Sequence, residues 1–138
     1  MRRDSGRSFV LIMIVIAVVS FLLRIAIEKL MIFNIAQNET NAQSNLKFIS
    51  AALENYAKAH KGDFPNDFSL LTKTTPPLLD NNYLALSPIK GYNYGCSRLD
   101  ASGYACEALP DKCKLTANMI YSVTTGGLVV SEPCSRQD

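Results

Sequence analysis

Apolar residues crowd the first third of the chain without leaving a polar face. Residues 7–36 read RSFVLIMIVIAVVSFLLRIAIEKLMIFNIA, entered through the basic leader MRRDSG. A helix needs about 20 apolar residues to cross a bilayer core. Residues 9–23 fall short alone, and continuation through Ile25, Ala26, Ile27, Leu30, Met31, Ile32 and Phe33 supplies the length. The run predicts a membrane segment. The next stretch, AQNETNAQSN, is polar but holds neither Gly nor Pro, and Leu46, Ile49, Leu53, Tyr56 and His60 then recur at three- and four-residue steps. That spacing marks one side of a helix. Lys58 and Lys61 suit a helix C-terminus and Gly62 a stop. One helix over 7–60, about 80 Å at 1.5 Å per residue, accounts for all of this. Its first half, apolar all round, suits lipid or a helical bundle, and its striped second half carries a packed head.

Beyond Gly62, residues 68–72 predict one or two helical turns whose Leu70 and Leu71 cover the core, ended by Pro76 and Pro77. Leu78, Leu79, Tyr83, Leu84 and Leu86 dot a loop-like stretch expected to be irregular but packed. From Gly91 the period changes to two. Residues 92–96 and 104–108 flank the turn-rich Asp100, Ala101, Ser102 and Gly103 and read as a hairpin. Residues 119–124 and 128–131 flank Thr125, Gly126 and Gly127 and read as a second. Three or four antiparallel strands over about 91–132, laid on the helix stripe, make a two-layer α+β head.

Arg2, Arg3 and Arg7 outweigh Asp4 ahead of the apolar run. The positive-inside rule then predicts a cytoplasmic N-terminus and an exported head. A secretory cleavage site needs small residues just past the apolar core. Cuts after Ala26 or Ala36 meet Arg24 and Asn34 there instead, and no Cys follows the run for lipid attachment. The helix is therefore expected to stay attached.

Residues 13–27, MIVIAVVSFLLRIAI, closely resemble the N-terminal helix of type IV pilins and type II secretion pseudopilins. In that family glycine, phenylalanine, a small polar residue, leucine, isoleucine, glutamate and leucine precede such a run. An ungapped match puts Gly6 where prepilin peptidase cuts. The chain departs from the pattern at Arg7, where the family has the phenylalanine that becomes the methylated N-terminus. It departs again at Leu11, where the family has the glutamate thought to pair with a neighbouring subunit's terminal amine. Ser20 replaces a common glycine and Glu28 a common proline, so no proline kink is expected. Residues 61–65, KGDFP, resemble the step that follows the long helix in many pseudopilin-like proteins. The resemblance implies a pilin-like ladle. Residues 1–6 would be a cytoplasmic leader, 7–36 the transmembrane and assembly helix, and 37–138 an extracytoplasmic head. The partners it implies are the bacterial inner membrane, a prepilin peptidase and other pilin or pseudopilin subunits.

The 138 residues, less a membrane segment, leave enough chain for one small domain. A net charge of +2 with scattered basic residues argues against a nucleic-acid partner. Four Cys, all after residue 95 in a segment read as exported, suggest two disulfides. With no C-x-x-C pair and a single His they do not resemble a zinc site. A hairpin centred near Ala101 sets Cys96 opposite Cys106 at bridging distance, which leaves Cys113 to join Cys134. His60 reads either as a catalytic base serving a Cys nucleophile or as a partly buried packing residue. Without an orienting third group on a recognisable motif, the packing role is the expectation. No phosphate loop, HExxH or GxSxG occurs, so neither catalysis nor a cofactor or metal is expected.

Arg24 and Glu28, spaced i,i+4 beside Lys29, lie in or near the lipid boundary, where charge is costly. They read either as an outer-interface pair with Arg24 snorkelling or as a subunit contact in a filament. Two functions stay open on this reading. One is a structural subunit, a minor pilin or pseudopilin, of a type IV pilus or type II secretion pseudopilus. The other is a bitopic membrane protein whose disulfide-bonded ectodomain binds a ligand or partner and never polymerises.

Overall fold

The computed structural model describes the backbone of residues 4–135 and the side chains of residues 8–135. The first element, α1, is a 56-residue helix over Asp4–Ala59. Nothing between Arg7 and His60 interrupts it, because that span holds no Gly and no Pro. Two of its hydroxyls fold back on the helix: Ser20 Oγ donates to Ile16 O at 2.8 Å and Thr40 Oγ1 to Ala36 O at 2.9 Å. The helix ends in a Schellman turn. Gly62 N donates to Ala57 O at 2.7 Å, and Lys61 takes the left-handed conformation with φ 61°.

The chain forms two compact units, Met1–Asn34 and Ile35–Asp138. The first is the apolar part of α1. In the second, the rest of α1 packs against an antiparallel sheet of four strands: β1 (Tyr92–Asp100), β2 (Gly103–Pro110), β3 (Met119–Thr124) and β4 (Val129–Pro133), in the order β1-β2-β3-β4. The class is α+β. The helix contributes Ala42, Leu46, Ile49, Ala52 and Leu53 to the core, and the sheet contributes Tyr92, Tyr94, Tyr104, Cys106, Ala108, Tyr121 and Val123. Period-two alternation accounts for the sheet's share. Phe68, Leu71 and Leu79 close the core from the connecting segment.

Register along β1 depends on one extra residue. Cys96 pairs with Cys106 and Arg98 with Ala105, so the ladder shifts between them. Strict alternation after Tyr92, Tyr94 and Cys96 would turn Arg98 into the core. The bulge at Ser97 turns it out and brings Leu99 onto the core instead. Both flanking strands are longer than the sequence pattern implies, and the hairpin turn shrinks to Ala101 and Ser102.

Three local expectations need correction. Leu70 opens the one-turn helix α2 (Leu70–Lys73) and is 38% exposed, so Leu71 alone covers the core there. The stretch expected to be irregular contains a further turn, α3 (Tyr83–Leu86), started when the Asn82 side chain accepts from Ala85 N. Leu86 at its end faces solvent. His60 is exposed rather than half-buried, since it lies past the last helical turn covered by the sheet.

Candidate functional site

The first candidate surface is the apolar part of α1. Every residue from 8 to 34 is exposed, although most are Ile, Val, Leu, Phe, Met or Ala. This segment is long and apolar enough to span a membrane. A helix satisfies its backbone internally, so this segment can meet lipid or other helices without an unpaired backbone group. Of the residues singled out in the sequence, Gly6 and Arg7 lie in the first turns of α1, with side chains outside the described residues. Leu11 is 64% exposed. Arg24 and Glu28 are brought together, with Nε 3.6 Å from Oε1. Leu11 stands 13 residues before Arg24, about 20 Å along the axis, so the helix does not bring the residues near the expected cut to the ion pair.

The second candidate is the disulfide-bounded end of the sheet. Cys96 and Cys106 are bridged across β1 and β2, with Cα atoms 3.9 Å apart. Cys113 and Cys134 are bridged with Cα atoms 5.9 Å apart. The first pair is the one expected from the hairpin, and the second the one that this left. The second bridge ties the loop between β2 and β3 to the end of β4, where Cys134 N also donates to Asn118 O at 2.8 Å. Beside it a shallow cavity of ≈ 510 Å³ is lined by Leu109, Pro110, Lys112, Leu115 and Ile120 with the bridge. Leu109 and Ile120 alternate with the buried Ala108 and Tyr121, so this hollow is on the sheet face away from the helix.

A row of helix polar groups that the sequence pattern did not reveal holds this head in place. Asn38 Nδ2 donates to Thr116 O at 2.9 Å, and Glu39 Oε1 accepts from Asn118 N at 2.8 Å. Both fix the loop that carries Cys113. Asn45 Nδ2 donates to the Tyr94 hydroxyl at 2.9 Å. Glu54 Oε1 accepts from the Tyr104 hydroxyl at 3.0 Å and from Gly126 N at 2.9 Å. Ser50, 5% exposed, then donates to the Tyr104 oxygen at 3.0 Å. These groups flank the apolar stripe and meet the two loops at the ends of β3 and the hydroxyls of Tyr94 on β1 and Tyr104 on β2. Their spacing beside the stripe, Asn38 and Glu39 adjacent and then steps of four to six residues to Asn45, Ser50 and Glu54, was the available signal.

Burial is the first cause that pushes the hydroxyls of Tyr92, Tyr94 and Tyr104 above the ordinary phenol range. At the exposed hairpin tip, the Arg98 guanidinium and then Ser102 hold Asp100 well below the usual carboxylate range. Arg98 Nε is 2.9 Å from Asp100 Oδ2. The pair orders the two-residue turn.

The groups that carried the thiol-catalysis alternative are placed as follows. The His60 ring stacks on Tyr56, with centroids 3.9 Å apart, and its Nδ1 is 2.8 Å from Tyr56 O. All four cysteine sulfurs are in disulfides. Among the described residues no three His, Cys, Asp or Glu side chains gather as a metal site would require. What the arrangement offers is surface: an apolar helix and a stapled head. No protein-family model, curated protein or solved structure matches the chain.

Proposed function

We propose that the chain is a prepilin-like structural subunit, a minor pilin or pseudopilin, that is anchored in the inner membrane and assembled through its N-terminal helix. The observation that carries this reading is the division of labour within α1. One uninterrupted helix is uncovered and apolar over residues 8–34, then packs a disulfide-stapled sheet with its second part. A subunit held first by lipid and then by neighbouring helices needs such a segment. It also needs a head that keeps its own core in both settings. The disulfides suit a head exported to an oxidising compartment.

In this role the leader MRRDSG keeps the start of the helix on the cytoplasmic side, and cleavage falls between Gly6 and Arg7. Leu11 contributes apolar contact where the resembled family uses an acid, so docking of a new subunit relies on other groups of the helix. The departures at Arg7 and Leu11 favour a second reading, a bitopic anchor whose head binds a partner without polymerising. Co-expression with a prepilin peptidase separates the two. The subunit loses its leader and enters large assemblies, whereas the bitopic protein keeps its full length and stays monomeric in detergent.

A further inference from the structure

Within the apolar unit the charges are few and poorly satisfied. From residue 8 to 38 they are Arg24, Glu28 and Lys29. The Arg24–Glu28 contact is a single long approach of 3.6 Å, outside hydrogen-bond geometry for a charged pair, and the side chains remain 82% and 65% exposed. A guanidinium carries five donors and a carboxylate about four acceptor sites, so most of this capacity is unused. In or at the edge of lipid such groups are costly until another polar group meets them. The next acid along the helix, Glu39, is already engaged by Asn118 N.

The surroundings of the pair suit a second helix. At 3.6 residues per turn, Met13, Ala17, Ser20, Arg24, Glu28 and Met31 share one side of α1. Ala17 and Ser20 are small enough to let another backbone approach closely. The face is self-complementary in charge. When two parallel copies are offset by four residues, about 6 Å, Arg24 of one stands level with Glu28 of the next. Because Arg24 and Glu28 lie on the same side of α1, each such contact forms one cross-helix pair.

We propose that this face is the contact between copies of the chain, with Arg24 of one helix exchanging its internal partner for Glu28 of the neighbour. The proposal rests on the reading of the chain as an assembling subunit and names the groups that take over at Leu11's expense. The test uses full-length chains bearing donor or acceptor fluorophores in vesicles of phosphatidylethanolamine and phosphatidylglycerol, with energy transfer followed as protein is diluted in lipid. Arg24→Glu and Glu28→Arg should each weaken self-association about tenfold. Mixing the two variants should restore it, as should the double exchange in one chain. Lys29→Glu, off this face, should leave association unchanged. A mixture no better than its components overturns the proposal. So does an equal loss with Lys29→Glu, which would assign the charges to lipid headgroups. Unaltered chains that fail to associate overturn it too. Loss of MRRDSG, read by mass with a prepilin peptidase present, then decides separately whether the subunit reading stands.

Discussion

Leu53 lies at the middle of the helix stripe, fully buried among Leu46, Ile49, Tyr104 and other core residues. Leu53→Ala removes three carbon atoms, about 2.4 kcal/mol of transfer free energy at about 0.8 kcal/mol per carbon. Incomplete collapse around the vacated space adds a cavity penalty, and fully buried Leu→Ala changes run to about 5 kcal/mol. Alanine's slightly better helix propensity offsets only a few tenths. The expected loss is therefore about 2.5–5 kcal/mol, a large share of the about 5–15 kcal/mol available to a small domain. Full-length protein in detergent, with the near-ultraviolet circular dichroism of the buried tyrosines followed against temperature, reads this directly. About 4–8 °C of Tm is expected for each kcal/mol. Phe48→Ala serves as the control: Phe48 is larger, but it is 59% exposed on the same helix, and its loss should cost at most about 1 kcal/mol. If Leu53→Ala costs less than about 0.5 kcal/mol, or less than Phe48→Ala, the helix stripe is not what holds the head.

The remaining predictions concern the staples, alkaline pH and the helix start. Replacing Cys113 and Cys134 with Ser opens a loop spanning 21 residues and should destabilise the head by about 3 kcal/mol; an unchanged denaturation midpoint would mean the bridge adds nothing to folding. Tyr92, Tyr94 and Tyr104 have phenol pKa values raised in the folded state. Their contribution is intact below the ordinary value of about 10 and is lost as pH rises through the folded values, so tyrosinate absorbance and unfolding should appear together above about pH 10. Ionisation of all six Tyr at the ordinary pKa in a folded head would refute this. On the subunit reading, Leu11→Glu should leave leader removal intact and change only assembly, which sedimentation of the processed protein measures; blocked cleavage would show that position 11 acts on processing.

Several features were legible in the sequence because each depends on a local rule. The helix could be read through residues 7–60 from the absence of Gly and Pro, and the Cys96–Cys106 pair from the turn residues between them. The bulge at Ser97 was not read, although the pattern contains it: alternation from Tyr92 would bury Arg98. The stretch AQNETNAQSN read only as a continuation of the helix, since Asn38 and Glu39 find their partners in a loop about 80 residues away. A single helix does not reveal which of its polar side chains will meet such a loop. His60 continued the stripe by spacing but lies past the part of the helix the sheet covers. For the N-terminal unit the sequence supplied the apolar run and the Arg24–Glu28 spacing, and the structure adds that residues 8–34 are uncovered and the ion pair is long.

The most direct test of the subunit reading is the identity of the mature N-terminus. The full-length chain is expressed with an active prepilin peptidase, with an inactivated one, and as a Gly6→Val variant with the active enzyme, and the intact protein is weighed after extraction from membranes. A chain beginning at Arg7, short of MRRDSG, is predicted only in the first case. A full-length chain in all three would contradict it and leave the protein a bitopic anchor with a disulfide-stapled head.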